Sequence, residues 1–468
     1  MRFSAVVPLW QLITVVAFTT CILLANIARL TLRIRSICQP IVNRQVERGV
    51  ATVLLIQRIQ HPILDIIFTS ASVVVSVEFY TAFLPLLLWS GRCKLAIQMT
   101  LLMALCIYIG TFLKDLVSGS RPSAPPVRRF AATAIEKEAC IEFGFPSSHA
   151  INTICLSVYL FRHLARHLDS THIYVLWIAG FLLAITTAIV IYGRMYLGMH
   201  TPIDIIAGVI FGVILVTFWC FVDDRVNLFI EEGKNVFIFW TIICLLLLAA
   251  YPAPEKQTPS FEYHNAFVGV ILGMVWGLRI GNYHYIRSAL TIVHLNSWSG
   301  ALVLVKRLVV GLPVVIAVKM ITKLLAVTSL PWICLHIGLP VKSTTYVPAL
   351  KGMIPVDTTE VDLELKKNSD SEKLLIDLKE INVEAPKYGD DVEGTKYGDD
   401  QKLPMATSEI DLERAEPLGP KNLNFWLKFF SLSLMEPLDV DTGIRLLQYA
   451  GLSWSAVGVS YIFKHFKI

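Results

Sequence analysis

Residues 3–28, 95–113, 171–193, 205–222 and 235–254 contain no Asp, Glu, Lys or Arg. An apolar helix of roughly 20 residues crosses the hydrocarbon core of a bilayer, where every backbone polar group must be satisfied within the structure. Repeated stretches of this kind point to an all-α, multi-pass transmembrane helical bundle. The composition agrees: 55% of the 468 residues are hydrophobic and 16% are charged, against about a quarter charged in soluble domains. Spans are expected at 5–28, 63–89, 95–113, 147–166, 172–192, 203–222, 235–251 and 265–281. Further embedded helices are expected within 300–337, where Lys319 and Lys323 interrupt the run and Pro331 kinks it. A last apolar stretch, 444–463, is short enough to lie flat on the membrane. Roughly eight to ten spans fit. The N-terminal run reads as an uncleaved anchor: its basic flank is Arg2 alone, and it exceeds the roughly 7–15 residues of a signal-peptide core.

Net charge is +5 but unevenly spread. Residues 355–416 carry 18 acidic and 8 basic side chains, a balance of −10, which leaves +15 elsewhere. Low hydrophobicity with net charge predicts disorder, so 340–440 reads as an acidic low-complexity loop. Its duplicated Lys-Tyr-Gly-Asp-Asp, at 387–391 and 396–400, is too short to signal a repeat fold. The organisation expected is an N-terminal anchor helix and basic linker (1–62), a membrane core (63–222), additional membrane helices (223–339), the acidic loop, and a C-terminal membrane-associated helix (441–468). Of the nine cysteines, Cys21, Cys106, Cys155, Cys220, Cys244 and Cys334 fall in apolar segments, and Cys38, Cys93 and Cys140 in loops. No metal-ligand spacing appears, so neither a disulfide framework nor a metal site is expected. Nothing in the pattern points to nucleic acid.

Three polar islands interrupt the apolar pattern. The first runs from Lys114 to Arg121-Pro122. Lys offers a point charge and Arg a planar fork that matches phosphate oxygens. Pro122 biases Arg121 out of helix, holding it at the membrane edge. The second is Pro146-Ser147-Ser148-His149, a helix-start signal. Free N–H groups there form an anion seat, the two hydroxyls add donors, and His149 is placed to protonate a leaving oxygen. The third holds Arg194, His200 and Asp204. His200 and Asp204 share a helix face at i, i+4 if helix begins near His200. Asp204 would then hold one imidazole nitrogen and leave the other basic. Arg194 supplies a third cation for phosphoryl charge.

Each island alone has an ordinary explanation as a cap or a snorkelling cation. Together they form a set that can grip, attack and release a phosphate. If the spans alternate, all three lie on one face. Arg92, Lys94, Arg162, Arg166, Arg225 and Lys234 fall on the other, which the positive-inside rule makes cytosolic. The site is then lumenal or exterior, and the substrate expected is a lipid phosphate drawn from the bilayer. Glu78, inside the apolar run 63–89, is costly at that depth and is a candidate for steering a cationic substrate.

K-x6-RP, PSxH and R-x5-H-x3-D resemble the three signature motifs of the type 2 phosphatidic acid phosphatase superfamily. Within it, Lys114-Asp115-Leu116-Val117 with Arg121-Pro122 and Pro125-Pro126-Val127, and Gly193 through His200 with Asp204, resemble the sphingoid long-chain-base 1-phosphate phosphatases. The stretches 78–130 and 441–451 are similar to the plant members called lipid phosphate phosphatase delta. The resemblance covers the chain except the acidic loop. It implies a PAP2/haloperoxidase-like core over 63–222 and a phosphoric monoester hydrolase that needs no cofactor or metal. It implies His200 as nucleophile forming a phosphohistidine, Asp204 as its support, and His149 as general acid and then base. Lys114, Arg121, Ser147, Ser148 and Arg194 would bind the phosphoryl group. It also implies residence in the endoplasmic reticulum, for which the C-terminal residues carry no clear signal. Two positions depart from the superfamily pattern: Gly193 stands where many relatives have Ser, and Ser148 where the broader superfamily has Gly. The islands recognise phosphate and not the lipid tail, so a broad-range phosphatase acting on phosphatidate or lysophosphatidate remains an alternative. A non-catalytic scaffold or transporter is the alternative of another class.

Overall fold

The computed structural model describes residues 7–131, 140–167, 173–252, 258–293, 297–337 and 440–467. The acidic stretch, with its duplication, lies outside them up to Val440. Among the described residues there is no strand, and thirteen α-helices form. In chain order they are α1 (Leu9–Ile27), α2 (Leu30–Ile56), α3 (Pro62–Val73), α4 (Val77–Trp89), α5 (Cys93–Val117), α6 (Ser148–His167), α7 (Ile173–Tyr196), α8 (Pro202–Glu232), α9 (Val236–Ala250), α10 (Pro259–Ile280), α11 (Tyr283–Ala289), α12 (Trp298–Ile337) and α13 (Val440–Phe466).

Among the described residues, α1, α5, α7, α8 and α12 are long and apolar enough to cross a membrane. The pair α10 and α11, bent by 89°, adds a sixth candidate if it forms one span. The protein is therefore a multi-pass membrane protein with fewer full-length spans than the apolar stretches suggest. The run 63–89 is two helices: the first ends at Val73, and Ser76 caps the second, its hydroxyl accepting from Phe79 N–H at 3.2 Å. Glu78 thus belongs to the first turn of α4 rather than to mid-helix; its side chain lies outside those described. Most of the stretch expected to link the anchor to the core is helical, as α2. At the other end, α13 is part of the bundle. It packs along α10 and α12 and buries Ile444, Val457, Val459 and Phe463.

Helix α5 is the axis of the bundle. It packs against α4, α6, α8 and α10, and 83% of its apolar window is buried inside the protein. Leu102, Met103, Ala104 and Cys106 have no exposed surface. Close approach of α8 to α6 depends on Gly208, where a Cβ would stand 2.7 Å from Ser147 O. At one end of this core, basic residues meet two aspartates: Lys94 and Asp224 at 2.9 Å, Arg162 and Asp223 at 2.5 Å. The three polar islands gather at the opposite helix ends.

Candidate active site

Lys114 lies in the last turn of α5. The helix stops after Val117 because Ser118 turns left-handed (φ 53°) and donates its N–H to Lys114 O at 2.8 Å. Helix α2 lies over the loop that follows: Gln39 Nε2 donates to Ser118 O (3.0 Å), and Asn43 Oδ1 accepts from Ser120 N–H (2.9 Å) and its hydroxyl (3.0 Å). The loop turns Arg121 inward. Its Nε donates to Glu142 O at 2.9 Å and its Nη1 to Met199 O at 2.7 Å. Next to Lys114, Asp115 is fully buried and accepts from Tyr251 Oη (2.6 Å) and Thr258 Oγ1 (3.2 Å).

Ser147 caps α6, accepting from Ala150 N–H at 3.4 Å, and its own N–H donates to Asp204 O at 3.0 Å. That bond joins the second island to the third. Ser148 opens the helix, and its buried hydroxyl has no hydrogen-bond partner among the described residues. His149 follows on the same free N-terminal turn.

Arg194 lies in the last turn of α7, 2% exposed, with Nη1 3.5 Å from Ser72 Oγ. Its carbonyl accepts from Met199 N–H (3.0 Å) and His200 N–H (3.3 Å), folding the chain back on itself. Gly198, at φ 72°, makes that reversal possible. Pro202 then opens α8, and Thr201 and Asp204 form a capping box. Asp204 Oδ2 accepts from Thr201 N–H (2.7 Å) and Oγ1 (3.0 Å). The hydrogen bond expected between Asp204 and the imidazole is therefore not made. His200 Nδ1 stands 3.7 Å from Asp204 Oδ2, and Nδ1 and Asp204 Oδ1 each lack a hydrogen-bond partner among the described residues. His200 is 1% exposed. Burial pushes its pKa well below the usual histidine value, and the charges of Arg121, Arg194, Lys114 and His149 push it further down. The imidazole is held neutral, the form in which a ring nitrogen has a lone pair to offer.

The structure thus brings Lys114, Arg121, Ser147, Ser148, His149, Arg194, His200 and Asp204 to one end of the bundle. Two helix N-termini, of α6 and α8, meet two cation-bearing C-termini, of α5 and α7. The side chain of Glu78, the other sequence candidate, lies outside the described residues. Glu142, absent from the sequence reading, joins the set: it is 7% exposed, with Oε2 2.5 Å from Lys114 Nζ and 4.0 Å from Arg121 Nη2. A buried carboxylate thus sits on two of the three cations. Its sequence signal was the surplus of three cations in one membrane-edge set. The glycine at 193 also has a local reason: a Cβ there would stand 2.8 Å from Phe68 Cδ1.

The PAP2 superfamily model matches residues 95–227, the stretch that holds all three islands. Lipid phosphate phosphatase delta of Arabidopsis thaliana is 37% identical over 96% of this chain and 94% of its own. A dihydrosphingosine 1-phosphate phosphatase of Schizosaccharomyces pombe is 28% identical over 53% of this chain and 59% of its own. Sphingosine-1-phosphate phosphatase 2 of Mus musculus is 28% identical over 44% and 55%. No solved structure matches the chain. The motifs, the helical membrane bundle and a relative aligned nearly end to end lead to one conclusion: the chain belongs to the PAP2 superfamily.

Proposed function

We propose that this enzyme hydrolyses sphingoid long-chain-base 1-phosphates to the free base and inorganic phosphate, through a phosphohistidine on His200. At the coarser level it is a lipid phosphatase of the PAP2 family and a phosphoric monoester hydrolase. The observation that carries the mechanism is the gathering of Lys114, Arg194 and the buried Arg121 side chain around a buried, neutral His200. Lys114, Arg121 and Arg194 hold the phosphoryl oxygens, with Ser147, Ser148 and the N-terminus of α6. His200 Nε2 attacks phosphorus. The P–O ester bond breaks, and the leaving oxygen takes a proton from His149, which the negative charge of the arriving phosphate keeps protonated by offsetting the cations. His149 then accepts a proton from the water that attacks the phosphohistidine, freeing phosphate and restoring His200. Asp204 fixes Thr201 beside His200, and closing the 3.7 Å gap to Nδ1 would let it accept that N–H as charge develops; such bonds tighten when substrate binds.

Trapping an acid-labile phosphohistidine in the wild type and its absence in His200→Ala is the expected result. Undiminished phosphate release by His200→Ala overturns the mechanism. The sphingoid substrate rests on the fungal and mouse relatives, named for dihydrosphingosine and sphingosine 1-phosphates. The plant relative, named only for lipid phosphate, favours a broad-range reading. Competition in mixed micelles separates the two: faster cleavage of phosphatidate than of sphingosine 1-phosphate at equal surface concentration selects the broad reading. The opposite bundle end, with Lys94, Arg162 and Arg166, supports a cytosolic assignment for that face. The catalytic face is then lumenal, in the endoplasmic reticulum membrane.

A further inference from the structure

Glu142 creates a conflict inside the phosphate seat. Its carboxylate lies on Lys114 at 2.5 Å and within 4.0 Å of Arg121, and Lys114 and Glu142 side chains are only 5% and 7% exposed. A phosphate monoester arriving at those cations brings one or two further negative charges. Like charges this close and this dry repel strongly, and water cannot screen them. Either the carboxylate leaves the cations, or something positive arrives with the phosphate. A carboxylate displaced within a buried site still needs a partner, since leaving a buried charge uncompensated is strongly unfavourable.

A sphingoid-base 1-phosphate carries that partner. Its ammonium sits on the carbon adjacent to the one bearing the phosphate ester, so it enters beside the phosphate. Phosphatidate and lysophosphatidate bring the anion alone. We infer that Glu142 is the specificity-determining residue of this site: it yields Lys114 and Arg121 to the phosphate and takes the substrate ammonium in exchange. This rests on the sphingoid-base reading above and names the residue that enforces it. The short segment that carries Glu142 is tied to the site by its backbone, through Arg121 Nε to Glu142 O at 2.9 Å and Gly144 N–H to Gly119 O at 2.9 Å. The carboxylate therefore has only its own side-chain rotations with which to move from cation to ammonium.

The test uses purified full-length protein in detergent micelles with three substrates: dihydrosphingosine 1-phosphate, its N-acetylated analogue, which has no charge at nitrogen, and lysophosphatidate. The wild type is expected to prefer the free amine to both others. In Glu142→Gln the ratio of kcat/KM for the free amine to that for the N-acetylated analogue should fall about 10- to 100-fold, the range of one charge-assisted hydrogen bond. Glu142→Asp, which keeps the charge, should restore part of the ratio. A ratio unchanged in Glu142→Gln, with all three substrates slowed alike or not at all, overturns the inference and leaves Glu142 a partner of Lys114 only. In that outcome a wild type that still prefers the amine keeps the sphingoid reading intact. A wild type with no amine preference overturns the reading itself, and this inference with it.

Discussion

Helices α5 and α7 are nearly alike by composition and opposite by position. Their apolar windows have mean hydropathies of 1.9 and 2.3, yet 83% of the first is buried inside the protein and 6% of the second. Each ends in a cation at the active site, Lys114 from α5 and Arg194 from α7, and those cations are 4% and 2% exposed. Lipid is as apolar as a protein core, so hydropathy marks both helices as membrane helices without saying which is inside. The difference lies in minor constituents. Along α5, Gln98, Thr100, Thr111 and Asp115 are buried with protein partners to reach. Along α7, Trp177, Phe181 and Leu182 point outward. The site is therefore built from helix ends, and a helix wholly inside and a helix at the rim serve it equally.

The sharpest way to break that equivalence is to remove each cation. Lys114→Ala and Arg194→Ala should each lower kcat/KM about 10²- to 10³-fold, the usual loss for one preorganised charge on a transferring group. Their effects on folding should differ. Lys114→Ala leaves the Glu142 carboxylate with Arg121 Nη2 at 4.0 Å in place of its 2.5 Å partner, at a cost approaching the roughly 3–5 kcal/mol of a broken buried pair. Adding Glu142→Gln should recover most of that stability and none of the activity. Arg194→Ala leaves the Lys114–Glu142 pair in place and should unfold closer to the wild type. Thermal unfolding in detergent beside initial rates decides this, and equal destabilisation by the two variants would refute the contrast.

Away from the site, the same two helices should answer truncation differently. Met103 in α5 has no exposed surface, while Leu182 in α7 is 57% exposed. Met103→Ala leaves a cavity that the core cannot fill and should cost about 2–5 kcal/mol. Leu182→Ala lets lipid or detergent fill the gap and should cost under about 0.5 kcal/mol. A Leu182→Ala loss as large as that of Met103→Ala would mean that α7 is covered by protein, for instance a second copy of the chain.

What the sequence made legible was chemistry at helix boundaries. Lys114, Arg121, Ser147, His149, Arg194 and His200 stood out in the sequence because each combines a charge or hydroxyl with a nearby helix boundary signal: Pro122 after the first island, Ser147 before α6, Pro202 at the head of α8; the actual stop of α5, at Ser118, was not among those signals. The break at Ser76 was equally local and was masked by hydrophobicity on both sides. What could not be read required tertiary neighbours. Glu142 carries no periodicity and owes its role to Lys114, 28 residues away. Asp204 was expected to orient His200, and the i, i+4 spacing does bring them within 3.7 Å. The same spacing also sets Asp204 three residues after Thr201, and the capping box won its Oδ2. The grip of α2 on the Ser118–Ser120 turn, through Gln39 and Asn43, joins positions 77 to 79 apart.

The smallest effect concerns His200, which belongs to neither helix but stands between their cations. Arg121, Arg194, Lys114 and His149 act on it together with burial, and Asp204 Oδ2 at 3.7 Å is the nearby carboxylate. Its folded pKa lies well below the value of about 6.5 that it regains on unfolding. Between those two values the unfolded chain holds a proton that the native state does not. Stability is therefore full above about pH 6.5 and declines as pH falls toward the folded pKa, by at most about 1.4 kcal/mol per pH unit from this one group. Other groups titrate in the same window, so the useful quantity is a difference. The wild type should lose stability more steeply than His200→Asn between pH 6.5 and 5.5, because Asn takes up no proton in either state. Identical slopes would mean that His200 takes up its proton equally in the native and unfolded states, so that burial and the surrounding cations do not depress its pKa.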